Sequence, residues 1–574
     1  MAHVPAPDEA EDLLRASSLF APLGENDLAA LAEEVRWVRL AAGETLFSVG
    51  DPADSVFALV SGRLAVVLEA QGETAVAEIA AGQPVGELGL LRTAPRNATV
   101  RAMRDSLLAE LSEAAFDDLV RSHPDMALGL LRVLASRLDA PSGPAQVRAI
   151  AVTTTGGMPP TFAEELATGL GGRLVRAEDL GDDPVRQLGS LVDSAERAAE
   201  IVVLDATSGP TGWADGCARQ CDRLLIGVDG AARPGRDDVF PVTSVPTELV
   251  VFHRGDAAPQ GTAAWLERTA AQNHHHLRIG SADDFSRLVR HLTGRTVALV
   301  LSGGGSRAFA HIGVARALGE AGVPIDLVAG SSLGAIVGAQ LASGLSPEEV
   351  LDLNDEVWNR VRPQLRLAVP LISLIQPRVS ERLCGELFGD RRLEDAWVPC
   401  LVTTVDLDAC RLVVHSRGPT ATLALASASP PVLWAPVVYE GALLVDGGVL
   451  DNLPVDAARQ AGAERVVAVN VTRNTSLDTG EVRVVPTTLG LIASRLLQRT
   501  NRFPSALALL MRSLMLTSLR NQAAAYADCD VVIEPAVDGR GLTEYSSIRE
   551  IERLGYEAAR RALDAASPDV ATWA

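Results

Sequence analysis

Residues 328–338 read VAGSSLGAIVG and contain Gly330-x-Ser332-x-Gly334. An apolar run, Leu327-Val328-Ala329, leads in, and a helical pattern follows. Strand, sharp turn and helix would put the Ser332 hydroxyl at the tip, with a helix N-terminus aimed at it. The chemistry implied is nucleophilic attack on an acyl carbon, which needs a base for the serine proton. Of nine histidines, only His415 follows the serine. The order Ser, acid, His would need an acid between 332 and 415. His415 ends a predicted strand in RLVVHSRG, with no loop signature around it, and reads as a strand-end residue.

Asp446 fits the base better. In ALLVDGG it stands where an apolar strand ends and two glycines begin, so the backbone can turn and aim the carboxylate over the strand ends. An aspartate with a pKa of about 3.9 is a weak base. Desolvation would raise that value, and a bond from the serine hydroxyl would let it take the proton as attack proceeds. A third element is Gly303-Gly304-Gly305, between the strand VALVLS and the helix RAFAHIGVARAL. Glycine amides at a helix start can hold the oxyanion of a tetrahedral intermediate. Gly303-x-Gly305-x-x-Ala308 also fits a loose dinucleotide fingerprint. That reading needs an acid at the C-terminal end of the next strand. The strand ends in Gly330-Ser331-Ser332 instead, with Asp326 at its other end.

The elements that position these residues fall into three blocks, and 574 residues suit about three domains. Residues 16–140 open with a short helical stretch. They continue as strands broken by Gly, Asp and Pro, with alternation in Phe57–Val60 and Leu64–Val67, and close on a helical stretch. APSGPAQ, 140–146, reads as a linker. Residues 148–294 alternate strands (RAIAVTT, EIVVLDA, DRLLIGV, ELVVFHR) with helices, the pattern of a central parallel α/β, Rossmann-like domain. AVTTTGGMPPT sits where a P-loop would but lacks Gly-Lys-Ser/Thr. His274-His275-His276 would lie on a strand, where neighbours face opposite ways, so no metal is expected. Residues 296–565 form a second α/β unit, ending in a helix near EIERLGYEAARRALDAA.

The ordered set GGGSRAFAHIG, GSSLG and DGG closely resembles the patatin-like phospholipase family, as do the flanking ALASASPPVLWAPV and DNLPV. The resemblance covers about 296–565 and implies an α/β hydrolase domain with a Ser–Asp dyad and no histidine. It makes Ser332 the nucleophile and Asp446 the base. The oxyanion hole falls in Gly303, Gly304 and Gly305, through the amides of Gly304 and Gly305. The family has Arg-Gly where this chain has Arg307-Ala308. A positive φ there would strain an alanine.

GQPVGELGLLRTAPRNATV is similar to the phosphate-binding cassette of cyclic nucleotide-binding domains, which implies a β-roll for residues 16–140. Gly86, Glu87, Leu88, Arg96, Asn97 and Ala98 are its candidate ligand residues. A short helix offers amides to a phosphate, Glu87 can accept from a ribose hydroxyl, and Arg96 can pair with the anion. Asn97 departs from the motif, and Ala98 at the discriminating place favours cAMP over cGMP. GPTGWADGCARQCDRLLIG and HHHLR resemble the connector of neuropathy target esterase-like proteins, which makes the domain order that of a bacterial relative.

Composition bounds the rest. The 51 basic residues are all arginine, which excludes mechanisms that need a lysine. A net charge of −22 argues against nucleic acid as a partner. Six scattered cysteines, the absence of a basic-apolar leader and the absence of a long uncharged apolar run make a cytoplasmic protein the expectation. Apolar LRLAVPLISLIQPRV, 365–379, and PSALALLMRSLMLTSL, 504–519, are core or lipid-facing candidates for peripheral contact at the inner face of a membrane. The expected function is a serine esterase acting on phospholipid or lysophospholipid in lipid metabolism. It needs no cofactor, and cAMP or cGMP would be its regulatory ligand. The alternative is a nucleotide sensor or scaffold with a silent hydrolase domain.

Overall fold

The computed structural model describes residues 7–15, 17, 19–20, 23–68, 74–92, 94–123, 147–181, 183–198, 200–236, 238–241, 243, 245–361, 371–472, 506–542, 544–566 and 573. The chain divides into two compact units, Met1–Phe252 with Ala264–His274, and His253–Ala263 with His275–Ala574.

The first unit opens with two four-stranded antiparallel sheets. One runs Arg36–Leu40, Ser106–Ser112, Ser55–Ser61, Pro84–Val85. The other runs Thr45–Phe47, Thr99–Ala102, Arg63–Leu68, Thr74–Ala80. The alternation in Phe57–Val60 does not mark an inner and an outer face. Val56, Ala58 and Val60 enter one apolar core with Phe20 and Phe116, while Phe57 and Leu59 enter another with Leu64 and Val100. A helix, Glu113–Ser122, follows, its first turn capped by the Ser112 hydroxyl accepting from the Ala115 amide at 3.4 Å. The expected continuation of that helix and the linker at 140–146 lie outside the described residues.

The sheet that follows has six strands, and the first five along the chain run parallel in the order Arg173–Val175, Val202–Asp205, Ala149–Thr154, Arg223–Asp229, Thr247–His253. Numbered along the chain this is 2-3-1-4-5, which differs from the dinucleotide-binding order 3-2-1-4-5-6. The layering expected from the strand–helix alternation is present, and the Rossmann strand order is not. The glycine loop after Ala149–Thr154 folds on itself. Thr154 Oγ1 donates to the Gly227 carbonyl at 2.9 Å, and Gly156 N donates to Thr154 Oγ1 at 2.9 Å.

Arg104, 0% exposed, joins the roll to this sheet. Its Nε donates to Asp222 at 2.9 Å and its Nη1 pairs with Glu196 at 3.2 Å. Arg63 pairs with Glu196, and with Glu78 at 3.1 Å. Asp222 also accepts from the Arg148 and Ala149 amides at 2.8 and 2.9 Å, fixing the start of the first parallel strand. Burial pushes the Asp222 carboxyl up, but Arg104 and Arg63 outweigh it and hold the group below the usual range.

The second unit is built on an eight-stranded sheet. Five strands run parallel in the order Cys400–Asp406, Leu327–Ser331, Val297–Leu301, Arg465–Val469, Val531–Ile533. Ala442–Asp446 joins antiparallel beside Cys400–Asp406, followed by Val437–Tyr439, and Arg411–His415 pairs with Cys400–Asp406 as a branch. Every residue of Val297–Leu301 is buried, as in a sheet covered on both faces. Leu299 and Leu301 enter one core with Phe309 and Ile336, while Ala298 and Val300 enter the opposite one with Leu453 and Val466.

Arg104→Met removes a cation from between two buried carboxylates. It should destabilise the first unit by about 3–5 kcal/mol. Urea denaturation read by hydrogen exchange in Ala149–Thr154 measures this, and an unchanged midpoint would remove the cluster as a source of stability.

Candidate active site

Ser332 lies between the strand Leu327–Ser331 and the helix Leu333–Ala342, with φ 55° and ψ −132°. That conformation is strained for a residue with a Cβ, and the surrounding packing must enforce it. Gly334 allows the helix to close on the neighbouring strand. A Cβ there would meet the Ser302 carbonyl oxygen at 2.5 Å and that of Leu301 at 2.6 Å.

The Ser332 hydroxyl donates to Asp446 Oδ2 at 2.8 Å. Asp446 Oδ1 accepts from the Gly448 amide at 2.8 Å, so the turn after the strand orients the carboxylate. Burial raises the Asp446 pKa to about 6, against the lowering effect of the bonds from Ser332 and Gly448. The Ser332 amide donates to Ser427 Oγ at 2.9 Å. Ser427 was not singled out in the sequence. The flanking ALASASPP was the available signal, without a way to choose among its serines.

The three loop glycines divide their work. The Gly303 amide donates to the Asn452 carbonyl at 3.2 Å. Its own carbonyl accepts from Asn452 Nδ2 at 3.2 Å and Thr472 Oγ1 at 2.6 Å. Gly303 therefore anchors the loop, while Gly304 and Gly305, whose amides are the expected donors, line a cavity beside Ser332 and Asp446. Ala308 lies in the short 3₁₀ segment Gly305–Phe309 without positive φ, so the strain foreseen for Arg307-Ala308 does not arise.

The cavity measures about 230 Å³ and is mainly apolar, with Leu333, Ile336, Leu425 and Trp434 among its walls. Trp358 and Tyr545 line it as a parallel stack, ring centroids 3.9 Å apart. No histidine lines it among the described residues. His415 bonds Thr404 Oγ1 at 2.7 Å. His311 is fully buried, shares a hydrogen bond of 2.8 Å with the Ser302 carbonyl, and is pushed by burial down to about 4. It is a neutral brace near pH 7.

In the N-terminal roll, Gly86 has φ 81° and the helix Glu87–Arg92 follows it. Glu87 is buried, Leu88 and Asn97 are exposed, and Ala98 is buried. Arg96, expected to face a phosphate, is only 4% exposed. Its guanidinium donates to the carbonyls of Gly86 and Ser55, each at 2.8 Å, and lies 4.3 Å from the Phe47 ring centroid. The arginine thus holds the cassette to the roll. Among the three adjacent histidines, both ring nitrogens of His276 are engaged, by His253 and by the Glu394 carbonyl, each at 2.9 Å.

Residues 299–459 match the patatin-like phospholipase family and residues 37–123 match the cyclic nucleotide-binding domain. Fold and site therefore define a patatin-like phospholipase that carries a cyclic nucleotide-binding domain. An NTE family protein of Mycobacterium bovis is 30% identical over 98% of this chain and 97% of its own length, and the chain belongs to the NTE family. It is also 27% identical over 92% of its length to the lysophospholipase nte1 of Aspergillus fumigatus. Against the patatin-like phospholipase domain-containing protein 6 of Pongo abelii the identity is 32% over 76% of this chain. The chain spans 42% and 38% of the lengths of these two relatives.

If Asp446 takes the serine proton it must be ionised, so activity through it requires a pH above about 6 and is lost below that. Labelling of Ser332 by a fluorophosphonate should rise with pH to a plateau, with a midpoint near that value, and the rise should vanish in Asp446→Asn. A midpoint near 4 would mean that the carboxylate is not desolvated in solution.

Proposed function

We propose that the chain hydrolyses acyl esters of phospholipids or lysophospholipids through a Ser332–Asp446 dyad, under the influence of a cyclic nucleotide bound by its N-terminal roll. The observation that carries this reading is the 2.8 Å bond from the Ser332 hydroxyl to a buried carboxylate inside an apolar cavity. Ser332 Oγ attacks the ester carbonyl while Asp446 Oδ2 takes its proton. The carbonyl oxygen gains the negative charge, beside the amides of Gly304 and Gly305. Collapse expels the alcohol half of the lipid, which takes the proton from Asp446, and leaves the acyl chain on Ser332. Water then attacks the acyl-enzyme, with Asp446 as base again, and the fatty acid departs.

Apolar walls suit a fatty acyl chain, and the surface near the mouth suits a lipid aggregate. Leu371 and Ile372 are 88% and 72% exposed, close to the lining residue Ile375. Val432, also exposed, lies between lining residues Pro431 and Leu433, and its carbonyl accepts from the Leu374 amide at 2.8 Å. Residues 365–370 of the first apolar segment lie outside the described residues. In the second segment Met515 lines the cavity and Leu516 is 54% exposed. Peripheral contact with a lipid surface through this rim is part of the proposal. Among the described residues no helix is long and apolar enough to cross a membrane.

The cassette Gly86–Thr99 supports a cyclic nucleotide ligand, with Glu87 facing the ribose and Ala98 favouring cAMP. Regulation requires that the nucleotide bind two states of the chain with different affinity.

Fatty-acid release from lysophosphatidylcholine micelles tests the reading. Ser332→Ala and Asp446→Asn should each lose about three orders of magnitude or more in rate. Release that survives in Ser332→Ala would overturn the dyad. Equal rates of the wild type with and without saturating cAMP would remove the regulatory part alone.

A further inference from the structure

The oxyanion loop is held by a segment more than 200 residues away in the chain. Ser306 Oγ donates to the Gly541 carbonyl at 2.8 Å and accepts from the Glu544 amide at 3.1 Å. The Ser306 amide donates to the Leu542 carbonyl at 2.9 Å. Arg307 Nε donates to the Arg540 carbonyl at 2.8 Å and its Nη2 to the Asp538 carbonyl at 3.2 Å. Glu544 stiffens this segment from within, accepting from the Gly541 amide at 3.0 Å and the Ser547 hydroxyl at 2.9 Å. The two backbones touch. Gly305 has φ 54°, and a Cβ there would lie 2.3 Å from the Leu542 carbonyl oxygen.

The same segment also forms wall. Leu542 and Tyr545 line the acyl cavity, and Tyr545 stacks on Trp358. We propose that residues 538–542 and 544–545 form a clasp that couples seating of the acyl chain to alignment of the Gly304 and Gly305 amides, with Ser306 and Arg307 as its positioning residues. The proposal rests on the ester-hydrolase reading and adds a determinant of chain-length specificity to it.

The physical argument runs through distance. A long acyl chain presses on Leu542 and Tyr545, while the Leu542 carbonyl holds the loop at Ser306. Seating energy therefore reaches the two amides through one or two residues of backbone. Binding energy from a remote part of a substrate raises kcat only where it is realised in the transition state. Small misplacements of donors cost large factors in rate. A short acyl group leaves Leu542 and Tyr545 untouched and gains nothing from the clasp.

The test compares kcat and KM for para-nitrophenyl acetate and para-nitrophenyl decanoate, using the full chain. Wild type should turn over the decanoate about tenfold faster in kcat, and Ser306→Ala should lose most of that advantage with KM nearly unchanged. Ser306→Thr, which keeps donor and acceptor, should restore it. Should Ser306→Ala fail to fold, Arg307→Gln removes the other anchor and should show the same split. Equal losses on both esters, a loss in KM alone, or a Ser306→Thr as poor as Ser306→Ala would overturn the clasp. Hydrolysis of both esters that disappears in Ser332→Ala keeps the underlying reading intact however the split falls, so the two failures are distinguishable.

Discussion

The proposed chemistry depends on a carboxylate that is buried, ionisable and, among the described residues, without a cation beside it. Two aspartates show what this requires. Asp222 and Asp446 are both desolvated, and burial pushes both carboxyls up. Asp222 faces Arg104 and Arg63, which pull it below the ordinary range and make it an inert tie in the fold. Among the described residues Asp446 meets dipoles, the Ser332 hydroxyl and the Gly448 amide, and stays near 6. A guanidinium beside it would remove its basicity. In a chain whose basic residues are all arginine, the catalytic cavity lacks one on its walls among the described residues.

Burial of that kind demands a fixed backbone, and Ser302 ties the pieces together. Its amide donates to the Val469 carbonyl at 3.0 Å, its hydroxyl accepts from the Val471 amide at 3.0 Å, and its carbonyl is bonded by His311 at 2.8 Å. The glycine loop departs from Ser302, and the helix after Ser332 packs against it at Gly334. Ser332 and the glycine loop thus share one anchor on the central strand. His311 suits that anchor because burial keeps it neutral, so its hydrogen bond does not change over the pH range in which Asp446 titrates.

Legibility in the sequence followed how local each constraint is. Ser332 and Asp446 were readable because a strained turn needs small neighbours, and those glycines sit beside the residues they serve. The parallel layering was readable from continuous apolar runs such as Val297–Leu301. Constraints whose partners lie far away left no trace. The bonds from Arg96 to the carbonyls of Gly86 and Ser55 are likewise invisible in the sequence, where the arginine reads as a phosphate partner alone. The tie from the Gly303 amide to the Asn452 carbonyl joins residues 149 positions apart and has no local signature. The positive φ feared at Ala308 came from the family pattern, and the local 3₁₀ turn removes the need for it. The strand order of the middle sheet is a long-range property that alternation of strands and helices leaves open.

The cavity then has two roles from one set of side chains. Leu333, Ile336, Leu425 and Trp434 line the same cavity as Asp446, so on the proposed reading the seat of the acyl chain is also the apolar surrounding of the base. Asp446 is already desolvated before any substrate enters, so on that reading an apolar chain can fill that space without weakening the base. A histidine would be weakened in such a site, because burial lowers its basicity, as His311 shows. On the proposed reading, an acid whose pKa rises on burial keeps its basicity in the dry, apolar site that an acyl chain requires.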